Sequence, residues 1–148
     1  MAEGDGAIYN NFKEQVMEGV FNLASGGDTL KVALVTGYAP DIDTHTAWSD
    51  ASGSEVTGTG YSAGGVTLTS QDVTQDNTND RGIFDAADVT WTGLNIAGTS
   101  ASPSHAILYD DTVTAPSDAL IAYWEVTTAT NGGDYTLQFN ATGIITLT

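Results

Sequence analysis

Ser-His-Ala-Ile-Leu-Tyr (104–109) and Ala-Leu-Ile-Ala-Tyr-Trp-Glu-Val (119–126) are the two runs whose reading decides the fold. Both are almost continuously apolar, rich in aromatic and β-branched residues, and too short for buried helices. Such runs fit central strands covered on both faces. Between them Asp110, Asp111, Pro116, Ser117 and Asp118 supply turn conformations and a strand stop. The pair reads as a central β-hairpin with its break across residues 110–118. Burying Ile107, Leu108, Leu120, Ile121 and Trp124 would contribute roughly 1.5–3 kcal/mol each, so the rest of the chain is expected to pack around this hairpin.

Upstream of the hairpin, residues 95–103 are small, polar and turn-like. Val89-Thr90-Trp91 and Ile83-Phe84 are short strand pieces, and residues 66–73 alternate as an exposed strand. Asp76-Asn77-Thr78-Asn79-Asp80-Arg81-Gly82 resembles a calcium loop. Its glycine comes one position late, no glutamate stands at the twelfth position, and no helices flank it. A hairpin turn is expected there, and chelation is expected to leave stability unchanged. Gly58, Gly60, Gly64 and Gly65 suggest a phosphate loop, yet Val66-Thr67-Leu68-Thr69 follows as a strand where a dinucleotide fold needs a helix. These glycines read as sites of backbone bending and close chain approach, and no cofactor is expected.

Residues 37–53 carry Tyr38, Pro40, Asp41, Asp43, His45, Trp48 and Asp50 without a clear period. A connection of that length is either functional or hides a short helix. Before it, Thr29–Thr36 reads as a strand. Ile8, Phe12, Val16, Val20 and Leu23 recur at helical spacing, with Tyr9, Met17 and Phe21 widening the stripe. This predicts an amphipathic helix over 8–24, capped by Asn10 or Asn11 and ended by Gly26-Gly27, after a tail at 1–7. The helix either covers one face of the sheet or reaches a neighbouring subunit. At the other end, Tyr135, Leu137 and Phe139 alternate with polar residues, as do Ile145 and Leu147, so 135–147 reads as a closing hairpin. Together these elements predict one mainly β domain over 1–148, with the β part at 29–148. It is expected to be a β-sandwich or flattened barrel of about eight strands with one N-terminal helix.

Three Lys and Arg against nineteen Asp and Glu give a net charge of −16 with neutral histidines. A nucleic-acid surface needs clustered cations, which Lys13, Lys31 and Arg81 cannot supply, so neither nucleic acid nor anionic membrane is expected as a partner. The acidity reads as solubility and mutual repulsion, or as a surface held near crowded, DNA-filled material without adhering to it. The absence of cysteine excludes disulfides, a thiol nucleophile and cysteine-ligated metal. No apolar run approaches the ~20 residues of a membrane helix, and the start lacks the basic and apolar parts of a signal peptide, so no export is expected. His45 and His105 are the available imidazole bases. His105 opens a buried strand, where a hydrogen-bonded core or rim histidine is usual. His45 has Asp41, Asp43 and Asp50 nearby but no second histidine at ligand spacing. Carboxylate pairs such as Asp110-Asp111 arise by chance in so acidic a chain. Neither an enzyme nor a metal site is expected.

Several pieces, taken in order, carry a resemblance. They are Tyr9-Asn10-Asn11-Phe12-Lys13, Val32-Ala33-Leu34-Val35-Thr36, Pro40-Asp41-Ile42-Asp43-Thr44-His45, Glu55-Val56 with Gly58-Thr59-Gly60-Tyr61 and Ala63-Gly64-Gly65, Asp88-Val89-Thr90-Trp91, and Ala106-Ile107-Leu108-Tyr109. They resemble small virion structural proteins of tailed bacteriophages. The resemblance implies a non-enzymatic capsid decoration (cement) protein on the outer capsid surface, otherwise a tail or neck component. It implies production in the host cytoplasm and binding to the major capsid protein or another virion protein. It also implies a homo-oligomer, with a trimer favoured at local three-fold positions; cyclic closure is the general habit of homo-oligomers. A different class, a carbohydrate- or receptor-binding β-module, would stack Tyr38, Trp48 and Tyr61 on sugar rings.

Copies of so acidic a chain repel one another across the roughly 8 Å of screening at physiological salt, so apolar contact must supply the attraction. The interface candidates are Phe12, Val16, Val20 and Phe21 on the helix, and Tyr38 and Trp48 in the loop. Each lies outside the expected core strands. On that reading, Trp48→Ala or Phe12→Ala leaves a folded protein with reduced occupancy on the particle.

Overall fold

The computed structural model describes residues 6–96, 103–127 and 130–148. The expected tail up to residue 5 and most of the 95–103 turn lie outside the described residues. The strands in chain order are β1 (Ala7–Ile8), β2 (Leu30–Val35), β3 (Gly58–Thr59), β4 (Val66–Thr67), β5 (Asp72–Asp76), β6 (Arg81–Asp85), β7 (Val89–Trp91), β8 (Asn95–Ile96), β9 (His105–Thr114), β10 (Ser117–Glu125), β11 (Tyr135–Leu137) and β12 (Ile145–Leu147). A single α-helix among the described residues, α1 (Asn10–Met17), and two 3-10 turns at Trp48–Asp50 and Ser52–Ser54 complete the set. The fold is mainly β and sandwich-like, and the described residues form no closed barrel.

One layer is a five-stranded antiparallel sheet in the order β1-β10-β9-β2-β4. The central hairpin is β9–β10, but its break contracts to Ala115 and Pro116, which are joined by a cis peptide bond. Asp110 does not turn the chain. It sits in β9, where its carboxylate accepts the N–H groups of Thr112 at 2.7 Å and Val113 at 3.1 Å and holds an irregular stretch of strand. A second irregularity lies between the pairs Leu120–Tyr109 and Ala122–Leu108, where Ile121 is the extra residue. The bulge puts Ile121 and Ala122 on the same face, although strand alternation would separate them.

Both faces of this sheet are covered, as the apolar runs require. Leu30, Val32, Leu34, Ala106, Leu108, Ile121 and Trp124 face the second layer and form the larger core. Ala33, Val35, Ile107, Tyr109 and Leu120 face the other way. That second face is covered by Tyr9, Tyr38, Ala51, Ile42 and Trp48, so the aperiodic 37–53 segment is a lid packed on the sheet. Main-chain bonds fasten it: Leu120 N–H to the Thr46 carbonyl at 2.9 Å, and Asn10 N–H to the Ile42 carbonyl at 3.0 Å.

The second layer consists of three small sheets, β12-β6-β5, β11-β7 and β3-β8. The expected closing hairpin is therefore not formed: β11 pairs with β7, and β12 pairs with β6. Phe139 redirects the chain between them, its side chain buried and its N–H bonded to the Asp88 carboxylate at 2.9 Å. The expected 66–73 strand also divides, at a buried Leu68 and a left-handed Ser70. In the glycine-rich segment, Glu55 receives the Tyr61 hydroxyl at 2.8 Å and the Gly64 N–H at 2.6 Å. The loop thus wraps a carboxylate of its own chain.

The N-terminal helix is shorter than its 8–24 pattern. Ile8 belongs to β1, and the N-cap is Tyr9, with no side-chain cap bond from Asn10 or Asn11. The end comes at Gly19, whose φ of +75° lets its N–H reach the Val16 carbonyl while Val20 N–H reaches Gln15, a Schellman closure. Gly19 thus ends the helix well before Gly26-Gly27. Helical spacing persists beyond it because the turned segment returns Phe21 and Leu23 to the same core.

Candidate docking surface

The truncated helix and its return bring Phe12, Val16, Phe21 and Leu23 together. Phe12 is 2% exposed, and its ring centroid lies 4.8 Å from that of Phe21. Opposite stands the β12-β6-β5 sheet. Its register places Val73 beside Phe84, Phe84 beside Ile145, and Gly82 beside Leu147, so these residues share the face turned to the helix. Phe84 and Ile145 are buried in the core, whereas Val73 and Leu147 at the rim remain 51% and 61% exposed. Between helix and sheet lies an apolar groove of about 300 Å³. Gly82 leaves a gap in its floor, because a Cβ there would meet no atom within 4 Å.

The six sequence candidates divide by place. Phe12, Val16 and Phe21 line the groove. Val20, 37% exposed, opens instead onto a neighbouring cavity. Tyr38 and Trp48 belong to the lid on the opposite face of the central sheet. Phe12 and Tyr38 are buried in the fold itself, which removes them as free anchors, and Trp48 spends one ring face on Tyr109. Placing these residues outside the core treats helix and loop as additions to a finished sheet, yet this sheet needs cover on both faces. Val73, Gly82 and Leu147 escape a reading by sequence, because strand alternation marks an apolar face without showing whether anything covers it.

The groups considered for chemistry are engaged within the fold. His45 Nδ1 lies 2.7 Å from the Tyr38 hydroxyl and accepts the Asp41 N–H at 3.2 Å. The Tyr38 hydroxyl lies 3.3 Å from that of Tyr9. His105 Nδ1 lies 3.1 Å from the Ser104 hydroxyl, and burial holds its pKa below the usual value against the pull of Glu125. Asp110 is buried while Asp111 pairs in the open with Lys31 at 2.8 Å, so the two neighbours do not act as a carboxylate pair. Asp76 accepts N–H groups from Thr78 and Asn79, the Asn79 amide and Arg81 Nε, in a β5–β6 hairpin turn. These donors hold its pKa down to about 2. Tyr61 gives its hydroxyl to Glu55 and accepts the Leu34 N–H at 3.1 Å. No helix among the described residues is long and apolar enough to cross a membrane. No known protein family, curated protein or solved structure matches the chain.

Proposed function

We propose that the chain is a non-enzymatic structural protein of a tailed-phage particle, a capsid decoration protein that docks on the head as a homo-oligomer, with a trimer favoured. The observation that carries the reading is the open apolar groove, with Val73 and Leu147 exposed at its rim in a chain of net charge −16. Surface apolar clusters on acidic proteins are where contact with a partner gains most, because every other part of the surface repels its own kind. The occupant is an apolar side chain of the major capsid protein, entering between helix and sheet. The resemblance of the sequence pieces, taken in order, to small virion proteins supports the same assignment. The sugar-binding alternative has weaker support, since Tyr38 is buried and Trp48 and Tyr61 are engaged inside the chain.

Electron microscopy of the particle, with and without this chain, tests the reading. Density on the outer head surface, with the β12-β6-β5 end against the capsid, is the expected result. Density confined to the tail or neck would replace decoration with a tail or neck role, and absence from the particle would overturn the proposal.

A further inference from the structure

Asp110 is the charged side chain that the fold removes from water outright: among the described residues it alone combines a charge with 0% exposure. Its Oδ1 is held by two main-chain N–H groups, from Thr112 and Val113. Its Oδ2 is buried and has no hydrogen-bond partner. The group beside it is a second carboxyl, that of Asp28. Asp28 is fixed in turn, its Oδ2 accepting the Asn22 N–H at 2.6 Å. Thr29 N–H donates to Thr112 Oγ1 at 2.7 Å, and Asp111 N–H donates to the Thr29 carbonyl at 2.8 Å, so the two carriers are laced together.

Two neighbouring carboxyls are relieved either by a shared proton or by a cation, and the chain's own cations are spent elsewhere. Lys31 pairs with Asp111, Arg81 with Asp76, and Lys13 donates to Asn10. Burial pushes the Asp110 carboxyl up to about 6, against its two N–H donors, and Asp28 adds to the rise. A cavity of about 290 Å³, bordered by Asp28, Val20 and residues 112–115, reaches the Asp28 side of the pair, while Asp110 itself stays buried behind it.

We propose that Asp28 and Asp110 together hold a hard divalent cation, Ca²⁺ or Mg²⁺, between β9 and the segment leading into β2. Such ions take oxygen ligands and need few protein carboxylates when hydroxyl, carbonyl and water oxygens complete the shell. The cation ties the start of β2 to the centre of the sheet. This inference is independent of the groove; it departs from the sequence expectation of no metal site and chelator-indifferent stability, which rests on the 76–82 turn and does not consider Asp28 with Asp110.

The test uses the full chain freed of metal with EDTA, followed by calorimetric titration and melting with CaCl₂ or MgCl₂ against NaCl of equal ionic strength. One site per chain and a melting temperature that climbs with Ca²⁺ or Mg²⁺ are expected, since a ligand bound only to the folded state stabilises it. The two cations separate by which gives the larger response. Asp28→Asn and Asp110→Asn should each abolish heat and response. Asp110→Asn keeps Oδ1 for its two donors and offers Asp28 an amide N–H, so in EDTA it should melt above the wild type. Silence toward both cations up to about 10 mM, weaker than known extracellular calcium modules, overturns the proposal and leaves the pair bridged by a proton. A response that survives in both variants also overturns it. If Asp110→Asn does not fold, the same readings on Asp28→Asn decide.

Discussion

Trp48 lies flat on Tyr109, with ring centroids 4.9 Å apart and planes inclined by 6°. The Tyr109 hydroxyl donates to the Gly64 carbonyl at 2.7 Å, so the lid, β9 and the glycine-rich loop meet at this stack. Trp48→Ala is therefore expected to destabilise the chain by about 2–3 kcal/mol, somewhat less than a fully buried ring costs. Denaturant unfolding measures it. An unchanged midpoint would return Trp48 to the role of a surface anchor.

Phe12→Ala should cost about 3–5 kcal/mol, because the ring is 2% exposed and packs on Phe21. Gly82→Val separates docking from folding. Its side chain would enter open groove space on a β-strand without meeting an atom, so melting should hold while particle occupancy falls. Val73→Ser with Leu147→Ser should act the same way. Full occupancy in both would exclude the groove as the attachment site.

Alkaline pH should unfold the protein. Burial raises Tyr9, Tyr61 and Tyr109 far above the ordinary value of 10.0. Their folded-state pKa values exceed the unfolded ones, so the folded state keeps protons that the unfolded chain releases. Stability is unaffected below pH 10 and falls as pH rises beyond it. Tyrosinate absorbance should appear together with loss of circular dichroism, not ahead of it.

Salt should strengthen association between copies or leave it flat, since repulsion within a −16 chain is what salt removes. Sedimentation at rising NaCl measures this. Steep dissociation would mean that attraction between opposite charges dominates the interface.

Gly65→Ala is expected to cost more than about 1 kcal/mol. Gly65 has φ of +78°, and a Cβ there would overlap the Val32 carbonyl oxygen on the neighbouring β2. Thermal melting checks it, and a neutral result would mean that the β2–β4 contact relaxes freely.

How much was legible follows from how local each signal is. The β9–β10 pair reads directly from two apolar runs, and the helix from its spacing, because both patterns are set by neighbours in the chain. The Asp76 turn and the bends at the glycines read for the same reason. Gly19 as a helix stop did not, because the apolar spacing continues through the return of Phe21 and Leu23. Of the candidate site, the helix half was legible and the sheet half was not. Val73 and Leu147 look like any alternating strand residues until the opposite wall is placed.

By itself the sequence determined a mainly β chain with a two-sided central hairpin, an N-terminal amphipathic helix, and an acidic composition with three Lys and Arg against nineteen Asp and Glu. Composition and periodicity carry those properties. Only the tertiary structure decided that residues 37–53 are a lid, that β11 and β12 part to different sheets, and that Asp110 is buried beside Asp28. These depend on contacts between residues far apart in the chain, where the bulge at Ile121 and the redirection at Phe139 set which faces meet. Long-range pairing is chosen by the total area buried, which no local pattern records.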